Sequence, residues 1–170
     1  PNSTEIKNLQ EKSRGLNLKF NNEVSSTKRQ AIMKEWFAKI GKNCYIEPQV
    51  FCDFGSHLIL GDNVYFNTNC VILDSAKIEI GNNVLIGSNV QLCTPTHPIN
   101  PLDRQKPENE KALPIKIGNN CWIGSSVTIT GGVTIGENVV IGAGCTINRN
   151  IESNVLVRYS KNNITTETIH

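Results

Sequence analysis

A six-residue repeat constrains the fold of this chain more than any other feature of its sequence. Six consecutive units, covering residues 117–152, open with isoleucine, and the fifth residue of each unit is cysteine, valine or isoleucine. The opening residues are Ile117, Ile123, Ile129, Ile135, Ile141 and Ile147. The fifth residues are Cys121, Val127, Val133, Val139, Cys145 and Ile151. Glycine and asparagine are common between these positions, where they permit the tight or left-handed backbone that a corner needs.

The same repeat is present in a looser form in the first half of the chain. Units there open at Ile40, Leu60 and Ile80 and read IGKNCY, LGDNVY and IGNNVL. An amphipathic helix would place its apolar residues three and four positions apart, which is not the spacing seen here. The repeat instead indicates short extended segments joined by corners, three to each coil of an all-β, parallel β-helix. Each isoleucine buried in its core contributes roughly 1.5–3 kcal/mol.

The N-terminal residues lack the repeat and show helical patterns. Thr27 and Gln30 form a capping-box pair at the start of one predicted helix, whose apolar face includes Trp36 and Phe37. We interpret these two aromatic residues as packing groups that help to cap the first coil. An earlier helix is predicted over about residues 3–14. The predicted parts are a helical segment at 1–39, a β-helix domain at 40–157 and a divergent C-terminal tail at 158–170.

Composition excludes several classes of partner. The formal net charge is +2 and no long basic or acidic block occurs, so neither nucleic acid nor an anionic membrane is indicated as a partner. No apolar run is long enough for a transmembrane helix, and no signal-peptide pattern opens the sequence. The cysteine spacings match no zinc pattern. Cys44, Cys70, Cys121 and Cys145 occupy the fifth repeat position, which suits buried free thiols and predicts a reducing, cytoplasmic location.

The repeat is interrupted once, directly after His97. Residues 98–113 carry prolines and charges instead, and they predict a loop extruded from a coil. Such loops on rigid scaffolds often carry function, and a neutral histidine at the root of one is suited to act as a general base toward an alcohol. Two alternatives stay open: a tolerated insertion with an incidental histidine, and a nucleophilic thiol–histidine pair formed with Cys93. The repeat position of Cys93 favours a packing role.

Four short motifs carry a resemblance to a known family. They are F-C-D-F-G at 51–55, N-T-N at 67–69, T-H-P at 96–98 and N-N-x-W-I-G at 119–124. Together with the repeats, they make residues 12–157 resemble the hexapeptide-repeat acyltransferases, and more narrowly the maltose and galactoside O-acetyltransferase group. The spacing of the repeats leaves the handedness of the coil open. The resemblance implies a left-handed β-helix.

The same resemblance implies an activity and an assembly. The expected protein is a homotrimer that transfers acetyl from acetyl-CoA to a hydroxyl of a sugar or related small alcohol, without a metal. Acetyl-CoA would lie in a groove between subunits. His97 would act as the base, the alkoxide would attack the thioester directly, and a backbone N–H near Ser125 would hold the oxyanion.

Further residues match positions that bind substrates in that group. Asp53, Tyr65, Asn67 and Glu110 match the acceptor site. Trp122, Ser125, Ala143, Asn148 and Arg149 match the stretch that binds acetyl-CoA. Judged on residue type alone, Asn67 is equally a corner residue, Trp122 a packed or interface aromatic, and Arg149 a solvated charge.

Two departures from the group leave a second interpretation in place. The proline-containing turn and arginine that usually end the last coil are absent, so Arg158 or Lys161 would have to replace that arginine. An acidic acceptor residue of some members would fall near or before Pro1. The alternative is therefore a noncatalytic trimeric β-helix that serves as a scaffold or binding module. The identity of the acceptor is open in either case.

Overall fold

Two helices precede the β-helix in the computed structural model, which describes residues 4–160 and 163–168. Helix α1 spans Thr4–Asn22 and helix α2 spans Ser26–Trp36. The predicted end of the first helix was too early, because Leu16 and Phe20 continue its buried face for two more turns. The predicted cap of the second helix was two residues late. Ser25 is the N-cap, and its side chain accepts a hydrogen bond from the backbone of Lys28.

The rest of the described chain is built from short strands. In chain order they are β1 (Lys39–Ile40), β2 (Tyr45–Ile46), β3 (Phe51–Cys52), β4 (Leu58–Leu60), β5 (Tyr65–Phe66), β6 (Val71–Leu73), β7 (Ile78–Ile80), β8 (Leu85–Ile86), β9 (Gln91–Cys93), β10 (Pro95–Thr96), β11 (Lys111–Ala112), β12 (Ile115–Ile117), β13 (Trp122–Ile123), β14 (Thr128–Thr130), β15 (Thr134–Ile135), β16 (Val140–Ile141), β17 (Thr146–Ile147), β18 (Val155–Ser160) and β19 (Asn163–Thr168). Helix α3 (Pro101–Arg104) and a 3-10 turn (Pro107–Asn109) lie between β10 and β11.

Three parallel sheets form the sides of a β-solenoid of about six turns. Sheet A has the order β1-β4-β7-β12-β15. Sheet B has the order β2-β5-β8-β13-β16-β18, with β19 added antiparallel to β18. Sheet C has the order β3-β6-β9-β14-β17. The chain passes from A to B to C in each turn, so the three connections define an A–B corner, a B–C corner and a C–A corner.

The core consists of the residues that the repeat predicted. All six opening isoleucines from Ile117 to Ile147 are buried, and so are the fifth residues of the same units. Cysteine is tolerated at the fifth position because its thiol finds an acceptor on the next coil. The Sγ of Cys44 lies 3.0 Å from the carbonyl oxygen of Gly61, and that of Cys121 lies 3.1 Å from the carbonyl oxygen of Gly136. All six cysteines are free thiols.

An asparagine ladder runs along the A–B corner. Its members are Asn43, Asn63, Asn83, Asn120, Asn138 and Asn154, all with φ between 55° and 62°. Each side-chain Nδ2 donates to the Oδ1 of the next member, over distances of 2.9 to 3.1 Å. Asparagine is among the few residues that tolerate this left-handed backbone. It therefore turns each corner and also links neighbouring coils.

Coil length varies only at the C–A corner. Successive members of the ladder are 20 residues apart in the first coils, then 37, 18 and 16. The steps from sheet A to B and from B to C stay at six residues, as the strand registers show. The 37-residue step contains the extruded loop. The loop therefore leaves at the one corner where this solenoid tolerates insertions.

The helices are attached to the first coil by buried hydrogen bonds. Asn17 exchanges two hydrogen bonds with the backbone of Cys52, and the Ser13 hydroxyl donates to the Cys52 carbonyl. The indole nitrogen of Trp36 donates to the Ser13 hydroxyl at 2.9 Å. Trp36 and Phe37 are both buried, which confirms their predicted packing role. No helix among the described residues is long and apolar enough to cross a membrane.

Candidate active site

Three of the residues predicted to bind substrates lie along the B–C corner. Asn67 follows β5, Ser125 follows β13 and Ala143 follows β16 by two positions. Glycines stack beside them, and a Cβ placed on Gly124 would lie 2.6 Å from the amide nitrogen of Ala143. The coils can approach this closely only because the side chain is missing. Ser125 and Ala143 are consequently neighbours on consecutive coils.

Ser125 offers an uncommitted backbone donor at this corner. Its carbonyl accepts a hydrogen bond from the amide of Gly144 at 2.9 Å, and its hydroxyl lies 3.2 Å from that of Ser88. Its own amide N–H donates no hydrogen bond to any part of the described chain. A free N–H beside small, exposed side chains is the donor that an oxyanion requires. The corner also suits a long, thin acyl carrier, because the residues that stack at this position in three consecutive coils, Ser88, Ser125 and Ala143, are all small.

Asn67 and Tyr65 lie two coils nearer the helices than Ser125 does. The Asn67 Oδ1 accepts from the amide of Thr68 at 2.8 Å, so its Nδ2 group is left to donate elsewhere. Tyr65 lies on the outer surface of sheet B, where its ring stacks on Tyr45 at 6.1 Å between centroids. Burial, and then the charge of Glu47, raises the pKa of Tyr65. It is therefore a neutral phenol at physiological pH.

Trp122 continues an apolar stripe down the outer surface of sheet B. In the strand register it lies between Leu85 and Val140, and its side chain is 56% exposed. The stripe comprises Tyr45, Tyr65, Leu85, Trp122, Val140 and Leu156. The same outer positions of sheet A include lysine and glutamate. The stripe is thus a property of one side of the solenoid.

A second group of predicted residues meets near the C–A corner. Asp53 and Glu110 line one cavity of about 310 Å3. Gln10 of α1, Ser75 and Lys111 also line it, and the Gln10 Nε2 lies 3.4 Å from the Asp53 Oδ1. The sequence pattern missed these three residues, because helix α1, the end of the loop and the β6–β7 corner that carries Ser75 meet at the cavity only through the tertiary fold. The cavity thus combines two carboxylates, an amide, a hydroxyl and an ammonium group with apolar walls from Ile6, Phe54, Pro95 and Ala112.

His97 lies beside this cavity, at the root of the loop. It directly follows β10, whose Pro95 lines the cavity and whose Thr96 pairs with Lys111 of β11. Extending this antiparallel register by one residue places His97 opposite Glu110. The His97 side chain is exposed, and its imidazole makes no hydrogen bond to the residues that the structure describes. The imidazole is therefore accessible from solvent.

The other described histidine has a structural role. His57 places its Nδ1 2.6 Å from the carbonyl oxygen of Asp74, and its backbone donates to the Asp74 carboxylate. That carboxylate is fully buried and also accepts from the amide of Phe54 at 2.8 Å. Burial raises the pKa of Asp74, although the hydrogen bonds oppose the change. Asp74 organises the C–A corner of an early coil and is distinct from the pocket.

Known proteins with this repeat are similar over most of the chain. Residues 114–149 match the family described as bacterial transferase hexapeptide (six repeats). Galactoside O-acetyltransferase of Escherichia coli K12 is 43% identical over 129 residues, which are 76% of this chain and 63% of that enzyme. A maltose O-acetyltransferase from Clostridium difficile 630 superposes with a TM-score of 0.93 at 37% identity, over 99% of this chain and 90% of that one. The chain belongs to the galactoside and maltose O-acetyltransferase group.

A further similar protein has been solved with a bound ligand. A hexapeptide-repeat acetyltransferase from Vibrio cholerae O1 biovar eltor, solved in complex with acetyl-coenzyme A, has a TM-score of 0.93 at 31% identity and covers 99% of this chain and 91% of that one. These similarities confirm the predicted hexapeptide β-helix fold and the predicted family. The chain aligns with slightly less than two thirds of the Escherichia coli enzyme's length.

Two of the residues that were predicted to bind acetyl-CoA lie away from the B–C corner. Asn148 and Arg149 follow β17, so both lie exposed at the C–A corner. The width of sheet C separates them from Ser125 and Ala143 of the same chain. Any ligand that touched all four residues in a single copy would have to wrap around sheet C.

The divergent tail continues the B–C corner. Arg158 of β18 stacks next to Gly142, and its guanidinium donates to the Glu167 carboxylate of β19, with Nε at 3.2 Å. The cationic side chain is therefore engaged by a carboxylate. Lys161, the other predicted substitute for the family arginine, lies outside the described residues.

The surroundings of Cys93 do not support the alternative in which its thiol is a nucleophile paired with His97. Burial raises the pKa of this half-buried thiol, which lowers the fraction present as nucleophilic thiolate. Among the residues described, no group of three or more histidine, cysteine, aspartate or glutamate side chains could hold a metal ion.

Proposed function

We propose that this acetyltransferase transfers the acetyl group of acetyl-CoA to a hydroxyl of a sugar or related small alcohol, with His97 as the general base. The observation that carries the proposal is the position of His97. Extending the β10–β11 register by one residue places it opposite Glu110, whose carboxylate, with that of Asp53, lines a cavity of about 310 Å3. Carboxylates of this kind accept hydrogen bonds from sugar hydroxyls and orient them.

The reaction needs a single direct displacement. His97 removes the proton from the acceptor hydroxyl, and the oxygen attacks the thioester carbonyl carbon. The Ser125 N–H stabilises the resulting oxyanion, the carbon–sulfur bond then breaks, and the imidazolium returns its proton to the CoA thiolate. General-base catalysis contributes about 10²–10⁴-fold, and one oxyanion donor about 10²–10³-fold.

The proposed base and the proposed oxyanion donor lie on different corners of one chain. Ser125 and Asn67 belong to the B–C corner, whereas His97 leaves from the C–A corner. In the coil that carries His97, the chain from Asn89 to Thr94 crosses sheet C, a distance of about 16 Å for five extended residues. We therefore propose that the site is shared, with His97 from one copy and Asn67 and Ser125 from the next.

A homotrimer would satisfy this requirement. The apolar stripe of sheet B, which includes the half-exposed Trp122 and Leu85, supports the proposal because so much apolar surface is better covered than solvated. Asn148 and Arg149 at the C–A corner would then approach the acetyl-CoA bound at the B–C corner of a neighbour. The free, mostly buried cysteines fit a cytoplasmic location, with no nucleic acid or membrane as partner.

The decisive experiment measures CoA release from acetyl-CoA, with a thiol reagent, against a panel of mono- and disaccharides and other small alcohols. Replacing His97→Ala is expected to lower turnover by about 10²–10⁴-fold. Thr96→Ala, a neighbouring exposed position, is the matched control and should keep near wild-type turnover. Turnover by His97→Ala close to that of wild type would rule out the general-base role.

The arrangement of the tail favours one alternative, a noncatalytic trimeric scaffold or binding module. Because Arg158 is held by Glu167, it is less available to a nucleotide phosphate. Calorimetry with CoA separates the two functions. Saturable binding supports the transferase, whereas no heat and no thermal shift at millimolar CoA would favour the scaffold.

A further inference from the structure

Arg29 is a buried cation on helix α2, with only 6% of the residue exposed. Its Nη1 donates to the carbonyl oxygens of Glu23 at 2.9 Å and Val24 at 3.2 Å, on the connection between the helices. Its Nη2 donates to the hydroxyl of Tyr45 at 2.8 Å. None of the ion pairs between described residues includes Arg29. The guanidinium therefore joins the helical segment to a tyrosine of sheet B and neutralises no carboxylate.

Tyr45 is the first member of the apolar stripe on sheet B. Its strand, β2, begins this sheet among the described strands, so stacked coils support the Tyr45 ring on one side only. On that side the register pairs it with Tyr65, and the two rings are nearly parallel, with an interplanar angle of 8°. Arg29 approaches from the helices, and its guanidinium carbon lies 5.6 Å from the centroid of the Tyr45 ring. Arg29 thus holds Tyr45 where a preceding coil would otherwise hold it.

The placement of Arg29 is unfavourable in one respect. Its Nε is buried and has no hydrogen-bond acceptor among the described residues. A buried N–H without an acceptor lowers stability. An apolar side chain of similar length could pack beside Phe20, which lies 6.0 Å from the guanidinium carbon, without this cost. Stability alone therefore does not account for an arginine at this position, whereas the hydrogen bond to the Tyr45 hydroxyl requires a donor.

We infer that Arg29 is a positioning residue for acceptor binding, which acts through Tyr45 to hold the ring of Tyr65. The inference rests on the proposed function, because it takes Tyr65 as part of the acceptor site. Arg29 fixes the Tyr45 hydroxyl, and the Tyr45 ring supports the Tyr65 ring in a single orientation. The Tyr65 phenol can then donate to or accept from an acceptor hydroxyl along a fixed direction.

Fluorine NMR tests the coupling between these residues without any substrate. The chain contains three tyrosines, so protein labelled with meta-fluorotyrosine gives signals from Tyr45, Tyr65 and Tyr159 that single Tyr→Phe variants assign. Arg29→Lys keeps the charge but loses the planar fork that reaches two carbonyls and a hydroxyl. It is expected to shift the signals of Tyr45 and Tyr65 and to leave that of Tyr159 in place. An unshifted Tyr65 signal in folded Arg29→Lys overturns the inference.

The reverse exchange on the same helix provides the matched control. Lys34 is exposed on α2, and Lys34→Arg should leave all three signals and the kinetics unchanged. Circular dichroism and thermal unfolding check that each variant is folded. Should Arg29→Lys fail to fold, Tyr45→Phe tests the same contact, because it removes only the hydroxyl that Arg29 holds.

Kinetics measure the consequence for acceptor binding. Arg29→Lys and Tyr45→Phe are each expected to raise the KM for the acceptor about 2–10-fold, the range that an aromatic pair is worth, and to leave the KM for acetyl-CoA near wild type. The double variant should be no worse than the more affected single variant, because both substitutions break the same contact. Independent effects that multiply in the double variant overturn the inference, and so does an equal rise in the KM for acetyl-CoA.

These measurements separate the inference from the proposed function. If wild type releases CoA and the tyrosine signals shift in Arg29→Lys, but the KM for the acceptor does not change, only the positioning role is wrong. If wild type releases no CoA with any acceptor, the proposed function fails and the positioning role fails with it, whatever the tyrosine signals show.

Discussion

Asn83 donates its side-chain Nδ2 to the Oδ1 of Asn120 at 3.0 Å, although the two residues are 37 apart in the chain. The same contact joins Asn63 to Asn83 at 2.9 Å across only 20 residues. The coils before and after the extruded loop therefore stack with the same ladder contact as coils that have no loop between them. The loop and His97 are attached to a scaffold whose hydrogen bonds do not depend on them.

Two substitutions of Asn120 separate the contributions that the ladder makes to stability, the left-handed corner and the hydrogen bonds between coils. Asn120→Ala removes the amide contacts with Asn83 and Asn138 and puts at a φ of 56° a residue that tolerates the left-handed region less well than asparagine. We expect a loss of about 2 kcal/mol in the free energy of unfolding, from left-handed strain and lost hydrogen bonds. Asn120→Gly should lose roughly half as much, since glycine accepts this backbone. Urea unfolding checks both, and equal losses would contradict the strain argument.

The oxyanion role of Ser125 can be tested by replacing it with a residue that has no N–H. Pro48 occupies the equivalent corner position in the first coil, so the backbone there accepts proline, and the Ser125 N–H has no partner to lose. Ser125→Pro is expected to lower turnover by about 10²–10³-fold, whereas Ser125→Ala keeps the N–H and should stay near wild type. Thermal unfolding monitors stability. Full activity in the proline variant would assign the oxyanion to another donor.

The buried carboxyl of Asp74 predicts a pH dependence of stability. Its pKa in the folded protein is raised above the ordinary value of 3.8, so the folded state holds this proton more tightly than the unfolded state does. Ionisation of Asp74 therefore costs stability as pH rises from below 3.8 through the raised pKa. The free energy of unfolding of wild type minus that of Asp74→Asn should fall through this range of pH and then level off above the raised pKa. A difference that rises with pH would refute this assignment.

Two glycines should respond in opposite ways to the same substitution. Gly15 lies within α1, and nothing lies within 4 Å of an added Cβ, so Gly15→Ala should raise the free energy of unfolding by about 0.5–1 kcal/mol. Gly124 is buried, and its Cβ would lie 2.6 Å from the Ala143 amide nitrogen. Gly124→Ala should therefore force the coils apart and lower both stability and turnover. Urea unfolding and CoA release measure the pair, and a stabilised Gly124→Ala would show that the corner is more loosely packed than described.

The repeat made the solenoid predictable because its information is local. Each unit carries its own core residue at the first position and its own corner residues after it, so Ile117 or Val127 could be assigned to the core without knowledge of the rest. The two extra residues at the early C–A corners follow no such rule. They depend on Asp74, a buried carboxyl that holds the corner through the backbone of residues far from it in sequence.

The candidate site was only partly predictable for the same reason. Asp53 lies in a family motif and Glu110 was matched only through the family resemblance, and the structure brings them into one cavity. Gln10 reaches that cavity because Ser13 and Asn17 bind the backbone of Cys52 and so fix helix α1, and no local pattern encodes this docking. His97 and Ser125 lie on separate corners, a separation that follows from the path of the chain and not from the motifs.

Variation in coil length is confined to the C–A corner, and the B–C corner keeps a constant six-residue step in every coil compared. One edge of the molecule is consequently free to change, while the other is held by close packing at Gly124. Under the proposed function, the variable edge meets the acceptor and the constant edge meets acetyl-CoA. Loop insertions at the C–A corner could therefore change the acceptor specificity of related proteins, while the B–C corner and its acetyl-CoA site stay unchanged.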